Sequence, residues 1–133
     1  MHYLIGLDIG EKRIGVAVSD GMGLGVRAHS TIDVEKFFEE LPALLVEYNA
    51  KEIVVGLPKH KDGTESEQTQ KVRDFVSKIV AAFPDLVLHY EDEILTSSEA
   101  KSRLKNRGVK ITEANKGLID SEAAAIILEQ YFS

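Results

Sequence analysis

Three acidic positions far apart in the chain, Asp8, the Asp92-Glu93 pair and Asp120, carry the chemistry that is easiest to assemble from this sequence. Hydrolysis of a phosphodiester at neutral pH needs a nucleophilic water and relief of charge on the leaving oxygen. Two divalent ions about 3.5 to 4 Å apart supply both, and several carboxylates must converge from different elements to hold them. Asp8, one acid of the Asp92-Glu93 pair and Asp120 provide such a set. The chain has no cysteine and no paired-histidine motif, so oxygen ligands favour Mg²⁺ or Mn²⁺ over Zn²⁺. Each acid also has a plain structural explanation: turn chemistry for Asp8 in Asp8-Ile9-Gly10, strand-end polarity for Asp92-Glu93, and an N-cap or first-turn helix acid for Asp120.

The elements that must position these acids follow from hydrophobic spacing. Two apolar, β-favouring runs, one ending at Asp8-Ile9 and one at Ile14 to Ser19, flank the turn Gly10-Glu11-Lys12-Arg13 and predict a hairpin with Asp8 at a strand end. After the glycine-rich turn over 21–25, Val26 to Ser30 predicts a third strand, making an antiparallel meander. Val34, Phe37, Phe38, Leu41, Leu44, Leu45 and Tyr48 recur at helical spacing, with Asp33 as a candidate N-cap and Pro42 predicting a kink or restart. Glu52 to Gly56 is a short buried strand. The polar loop over 59–65 contains the turn signal Asp62-Gly63 and is expected to be exposed and mobile. Val72, Phe75, Val76, Ile79, Val80 and Phe83 mark an amphipathic helix, and Leu86 to Tyr90 a strand that Glu91, Asp92 and Glu93 follow. Thr96 or Ser97 is expected to cap a helix to about Arg107, and Asp120 to open a last helix burying Ala123, Ala124, Ile127 and Tyr131. This order predicts an α/β fold: a mixed five-stranded sheet, three antiparallel strands plus two parallel ones, with helices on both faces. In such open sheets ligands gather beyond the carboxyl ends of strands, where Asp8 and the Glu91-to-Glu93 run both lie.

At 133 residues, 44% hydrophobic and 29% charged, the chain is expected to form a single domain over 1–133. No apolar run approaches a membrane span and Met1-His2-Tyr3 leads directly into the first strand, so a cytoplasmic protein with no membrane partner is expected. The net charge of −6 disfavours indiscriminate nucleic-acid binding. Yet Lys101, Arg103, Lys105, Arg107, Lys110 and Lys116 share a stretch whose only acid is Glu113. Together with the smaller Lys59-His60-Lys61 knot, that is either a basic groove on an acidic protein or a solvated helix face and loop.

The motifs Asp8-Ile9-Gly10-Glu11-Lys12-Arg13-Ile14-Gly15, Ile53-Val54-Val55-Gly56-Leu57-Pro58, Asp62-Gly63-Thr64-Glu65, Asp92-Glu93-Ile94-Leu95-Thr96 and Ile119-Asp120-Ser121-Glu122-Ala123-Ala124 resemble, in order and spacing across nearly the whole chain, the YqgF (RuvX) family. The resemblance implies an RNase H-like fold related to RuvC-type Holliday-junction resolvases, and candidate nucleases that mature the 5′ end of pre-16S rRNA. It places the family's catalytic and metal-binding acids on Asp8, Glu93 and Asp120, with Mg²⁺ or Mn²⁺ in a two-metal site. It also implies pre-rRNA or branched DNA as substrate and ribosomal precursor particles as partners. Lys12 and Arg13 match the family's basic pair, and with Lys101, Arg103, Lys105 and Arg107 they are the expected nucleic-acid contacts. Two positions depart from the pattern: Ile94 stands where the family usually has Arg, removing a partner for phosphate or carboxylate, and Ile9 replaces the usual aromatic. Two other classes share parts of this signal. Actin-like ATPases and sugar kinases also place Asp-x-Gly before an apolar strand but need two related domains, and a non-catalytic nucleic-acid or ribosome-assembly module could keep the fold.

Overall fold

The meander forms as the alternation requires. In the computed structural model, which describes residues 2–133, β1 (Tyr3–Ile9), β2 (Arg13–Asp20) and β3 (Arg27–Asp33) pair antiparallel, and β4 (Glu52–Pro58) and β5 (Val87–Glu93) add parallel to β1, giving the order β3-β2-β1-β4-β5. Side chains alternate across this sheet. Ile5, Leu7 and Ile9, with Ile53, Val55 and Leu57, face α1 (Phe37–Glu47) and α2 (Glu67–Ala82), which contribute Phe37, Leu41, Val72, Val76 and Ile79 to the larger core. Leu4, Ala17 and Val54 point the other way, onto Ala124, Ile127 and Leu128 of α4 (Gly117–Phe132). Helix α3 (Thr96–Asn106) packs on the outside of α4 through Ala100, against Ala123 and Ile126. Covered by the sheet on one side and α3 on the other, α4 is buried continuously from Ser121 to Leu128, as an internal helix must be.

Several element ends differ from the sequence expectation, each for a local reason. The third strand begins and ends later than Val26 to Ser30, because it pairs with β2 as far as Asp33 opposite Arg13. Asp33 makes no side-chain cap; a short 3₁₀ turn, Val34–Lys36, leads into α1. Pro42 does not restart α1, which runs through it. The proline lies on the exposed face, where a carbonyl freed of its partner is solvated. Helix α2 opens with a reciprocal capping box between Ser66 and Thr69. The 59–65 loop is a closed hairpin-like turn: Lys59 bridges Glu65, His60 N donates to the Thr64 carbonyl, and Asp62 Oδ1 accepts from Thr64 N at 2.9 Å. The last strand extends through Glu91, Asp92 and Glu93, because β4 continues to Pro58 and offers partners opposite all three.

The approach of α4 to the sheet is set by a position without a side chain. A Cβ on Gly15 of β2 would lie 1.9 Å from the Asp120 carbonyl oxygen of α4, an overlap with backbone that no rotamer relieves. Gly15→Ala is therefore expected to destabilise the protein by about 3 kcal/mol or more, at the severe end of overpacking, and to push α4 outward at Asp120. Urea denaturation checks this, and an alanine variant as stable as the parent would show that the contact is slack.

Candidate active site

Parity places two of the three acids on the α4 face. Asp8 lies two residues after Gly6 on β1, and Glu93 four residues after His89 on β5, whose ring packs on Tyr131 of α4 at 5.1 Å. Strand β4 runs between β1 and β5, and Gly56 leaves a gap in it. A Cβ at Gly56 would meet Glu93 Oε2 at 2.9 Å and Ile127 Cδ1 at 2.3 Å, so the missing side chain is the space through which the Glu93 carboxyl reaches towards Asp8. The two carboxyls hydrogen-bond to one another. Asp120 belongs to the first turn of α4, three residues inside the helix rather than at its cap, and borders the same cleft of about 410 Å³. Its Oδ2 accepts from Arg13 Nε at 2.8 Å. Arg13 is aimed there by the tight β1–β2 turn, closed by Gly10 N donating to the Arg13 carbonyl at 2.9 Å.

The electrostatics of this cluster are those of crowded like charges. Burial raises the Asp8 carboxyl to about 6; the hydrogen bond with Glu93 lowers it and the charge of Asp120 raises it further. Burial pushes Glu93 up to about 9, reinforced by the charge of Asp8 and by their hydrogen bond. At neutral pH the pair thus holds one proton between them. Among the described residues no three His, Cys, Asp or Glu side chains are disposed together to hold a metal ion: Asp8 and Glu93 are brought together, and Asp120 is neutralised by Arg13. The donors nonetheless fit a hard divalent cation. They are all oxygen, the charged groups acting on Asp8 and Glu93 are acidic, and Asp120 borders the cleft as a further donor once it exchanges Arg13 for the ion.

The expected nucleic-acid contacts divide into two groups. Arg103 bonds Glu99 and Glu129, and Arg107 bonds the buried Glu122 at 2.5 Å, so both arginines clamp α3 to α4 or to itself. Lys101 and Lys105, one helical turn apart on α3, are exposed, as is Lys12. Ile94 is exposed and does not line the cleft. The cleft wall also includes residues the sequence reading did not assign to the site: Lys59, whose Nζ pairs with Asp92 at 3.0 Å, and the run Leu95 to Ser98. Thr96 and Ser97 do not cap α3. The N-cap is Leu95 in the left-handed conformation, φ 59°, and Thr96 is already helical. The signal that could have located this run is its distance in sequence: it begins two residues after Glu93.

A mixed five-stranded sheet in the order β3-β2-β1-β4-β5, flanked by helices, is the fold this chain shares with RuvC. Thermus thermophilus RuvC, solved in complex with a Holliday junction substrate, matches 99% of this chain and 94% of its own with a TM-score of 0.57. At 15% identity the likeness is one of fold. Sequence identifies the family: the model for RuvX, described as Holliday junction resolvase, matches residues 2–133, and the chain belongs to that family. A relative from Crocosphaera subtropica is 43% identical over 130 residues, covering 96% of this chain and 90% of its own length. One from Lactococcus lactis is 38% identical over 133 residues, covering 96% and 92%. Both bear the name "Putative pre-16S rRNA nuclease". No helix of the described residues is long and apolar enough to cross a membrane.

The Glu93 shift has a consequence for stability. Its folded value is raised above the ordinary 4.5, so without metal the stability tied to Glu93 is fully present below about pH 4.5 and is lost as pH rises towards 9. Glu93→Gln removes that loss. The variant is expected to gain stability relative to the parent as pH rises from 5 to 9, by at most about 1.4 kcal/mol per pH unit. Urea denaturation in chelator across that range measures it, and a difference that does not change with pH would contradict a proton-sharing pair.

Proposed function

We propose that the chain is a divalent-metal-dependent endonuclease that hydrolyses phosphodiester bonds in structured nucleic acid, with the 5′ end of pre-16S rRNA as its substrate. The observation that carries this reading is the half-buried Asp8–Glu93 pair with Asp120 on the same cleft, a crowding of carboxyls that a divalent cation would relieve. Asp8 and Glu93 would hold the ion, Mg²⁺ or Mn²⁺, and Asp120 would complete the ligand set. When bound, such ions supply Lewis-acid relief of charge on the phosphoryl and leaving oxygens and ease formation of a nucleophile from water. The remaining work belongs to the chain itself. Arg13, released from Asp120, offers a planar guanidinium to a backbone phosphate at the rim. Exposed Lys12, Lys101 and Lys105 add phosphate contacts that orient a strand without reading its sequence. The names of the relatives favour pre-rRNA, which makes ribosomal precursor particles the natural partner and the cytoplasm the place of action. The family description favours a second substrate, the four-way DNA junction.

Asp8→Asn keeps the shape of the side chain but removes one of the two carboxylates that would hold the ion. It is expected to reduce Mg²⁺- or Mn²⁺-supported cleavage of a pre-16S rRNA fragment by about a hundredfold or more, the loss of several kcal/mol of transition-state stabilisation, and chelator is expected to abolish cleavage by the parent. Cleavage undiminished by Asp8→Asn would overturn the assignment. A four-way junction assayed in parallel decides which substrate the site prefers.

A further inference from the structure

The first turn of α3 forms the wall of the cleft beside Glu93, with Leu95, Thr96, Ser97 and Ser98 all bordering it. The N–H groups of Thr96, Ser97 and Ser98 belong to the first turn, where no helical carbonyl precedes them. Leu95 caps the helix with an apolar side chain and no side-chain hydrogen bond. The strand-to-helix link is only Ile94 and Leu95, with Leu95 at φ 59°. A β-carbon makes this conformation unfavourable, and it turns α3 sharply so that its N-terminal end meets the carboxyl end of β5. Thr96 adds an independent observation. It is 2% exposed, yet its Oγ1 is the one buried side-chain polar atom without a hydrogen-bond partner among the described residues. An unpaired buried hydroxyl is unfavourable, and from the first helical position Thr96 has no preceding helical carbonyl to bond. The acid of this turn does not spoil the site for an anion, because Glu99 is bonded to Arg103.

We propose that the N-terminal turn of α3, with the Thr96 hydroxyl and the Ser97 and Ser98 N–H and hydroxyl groups, is a phosphate subsite that takes a backbone phosphate of the substrate strand flanking the bond to be cleaved. The inference rests on the nuclease reading for the identity of its ligand, but its chemistry is separate. Unpaired N–H groups and the positive end of the helix dipole bind an anion without any metal. The subsite stands next to a cluster of carboxylates that repel phosphate, and so gives the strand a fixed point of attachment there. In this position it would act as a positioning site.

The test is amide NMR of the whole protein in chelator, titrated with a short single-stranded oligonucleotide and, separately, with inorganic phosphate. Saturable shifts of the Thr96, Ser97 and Ser98 amides are expected, with the oligonucleotide the tighter ligand. Thr96→Val, which keeps the shape and removes the hydroxyl, is expected to weaken binding by about tenfold while leaving the melting temperature unchanged or higher. Ser98→Glu is expected to weaken it at least as much, although an acid in the first turn favours the helix. Binding and stability thus move in opposite directions, which a merely structural role would not produce. Unshifted first-turn amides, variants that bind as tightly as the parent, or inorganic phosphate binding as tightly as the strand would each overturn the proposal. Because no cleavage is read and no metal is present, these outcomes are distinct from failure of the nuclease assignment, which the Asp8→Asn assay decides.

Discussion

Helix α4 lies against the sheet at a separation that only glycine allows, and the rest of the site depends on that contact. At Gly15 the helix backbone itself occupies the place of a side chain, and at Gly56 Ile127 and the Glu93 carboxyl share it. Close approach brings Asp120 to the cleft that Asp8 and Glu93 line, and leaves α4 so enclosed that Glu122 is held in the interior by Arg107. Fold and site are therefore one packing problem: loosening α4 to relieve the glycines would also separate the carboxylates.

The contact also explains why the cluster carries excess charge. Two carboxyls forced together out of water would each be stabilised by an apolar replacement or a cation, and the structure supplies neither to Asp8 and Glu93. Arg13 neutralises only Asp120, from a turn at the opposite end of the sequence. A protein selected for stability alone would not hold such a pair, and unfavourable electrostatics of this kind are concentrated where chemistry is done. Arg13 is thus a built-in countercharge for the third acid.

The strands and the mixed character of the sheet could be read from the sequence because apolar alternation and glycine turns are local signals: the meander, the crossover helices and the five-stranded mixed sheet all follow from them. Asp8, the Asp92-Glu93 pair and Asp120 could be set out as a candidate group from residue type and strand ends, but the choice of Glu93 over Asp92 came only with the resemblance of separated motifs. What could not be read depended on neighbours distant in sequence. The strand length of β5 is fixed by its partner Pro58, not by its own acidic residues. Thr96 and Ser97 have the composition of caps, but the short turn after Glu93 makes Leu95 the cap instead. Arg103 and Arg107 have the pattern of a nucleic-acid stripe, yet Glu122 and Glu129 one helix away engage them. The Arg13–Asp120 pair spans the sheet and the helix, and no periodicity announces it.

The central claim is that Asp8 and Glu93 share a proton in the metal-free protein because they are built to share a cation. A crystal soaked in Mn²⁺ and measured at the manganese edge tests it most directly. The account predicts an anomalous peak within coordination distance of both carboxylates, with Asp120 turned from Arg13 towards it. Manganese absent from the cleft at saturating concentration, with Asp8 and Glu93 still hydrogen-bonded to each other, would contradict it.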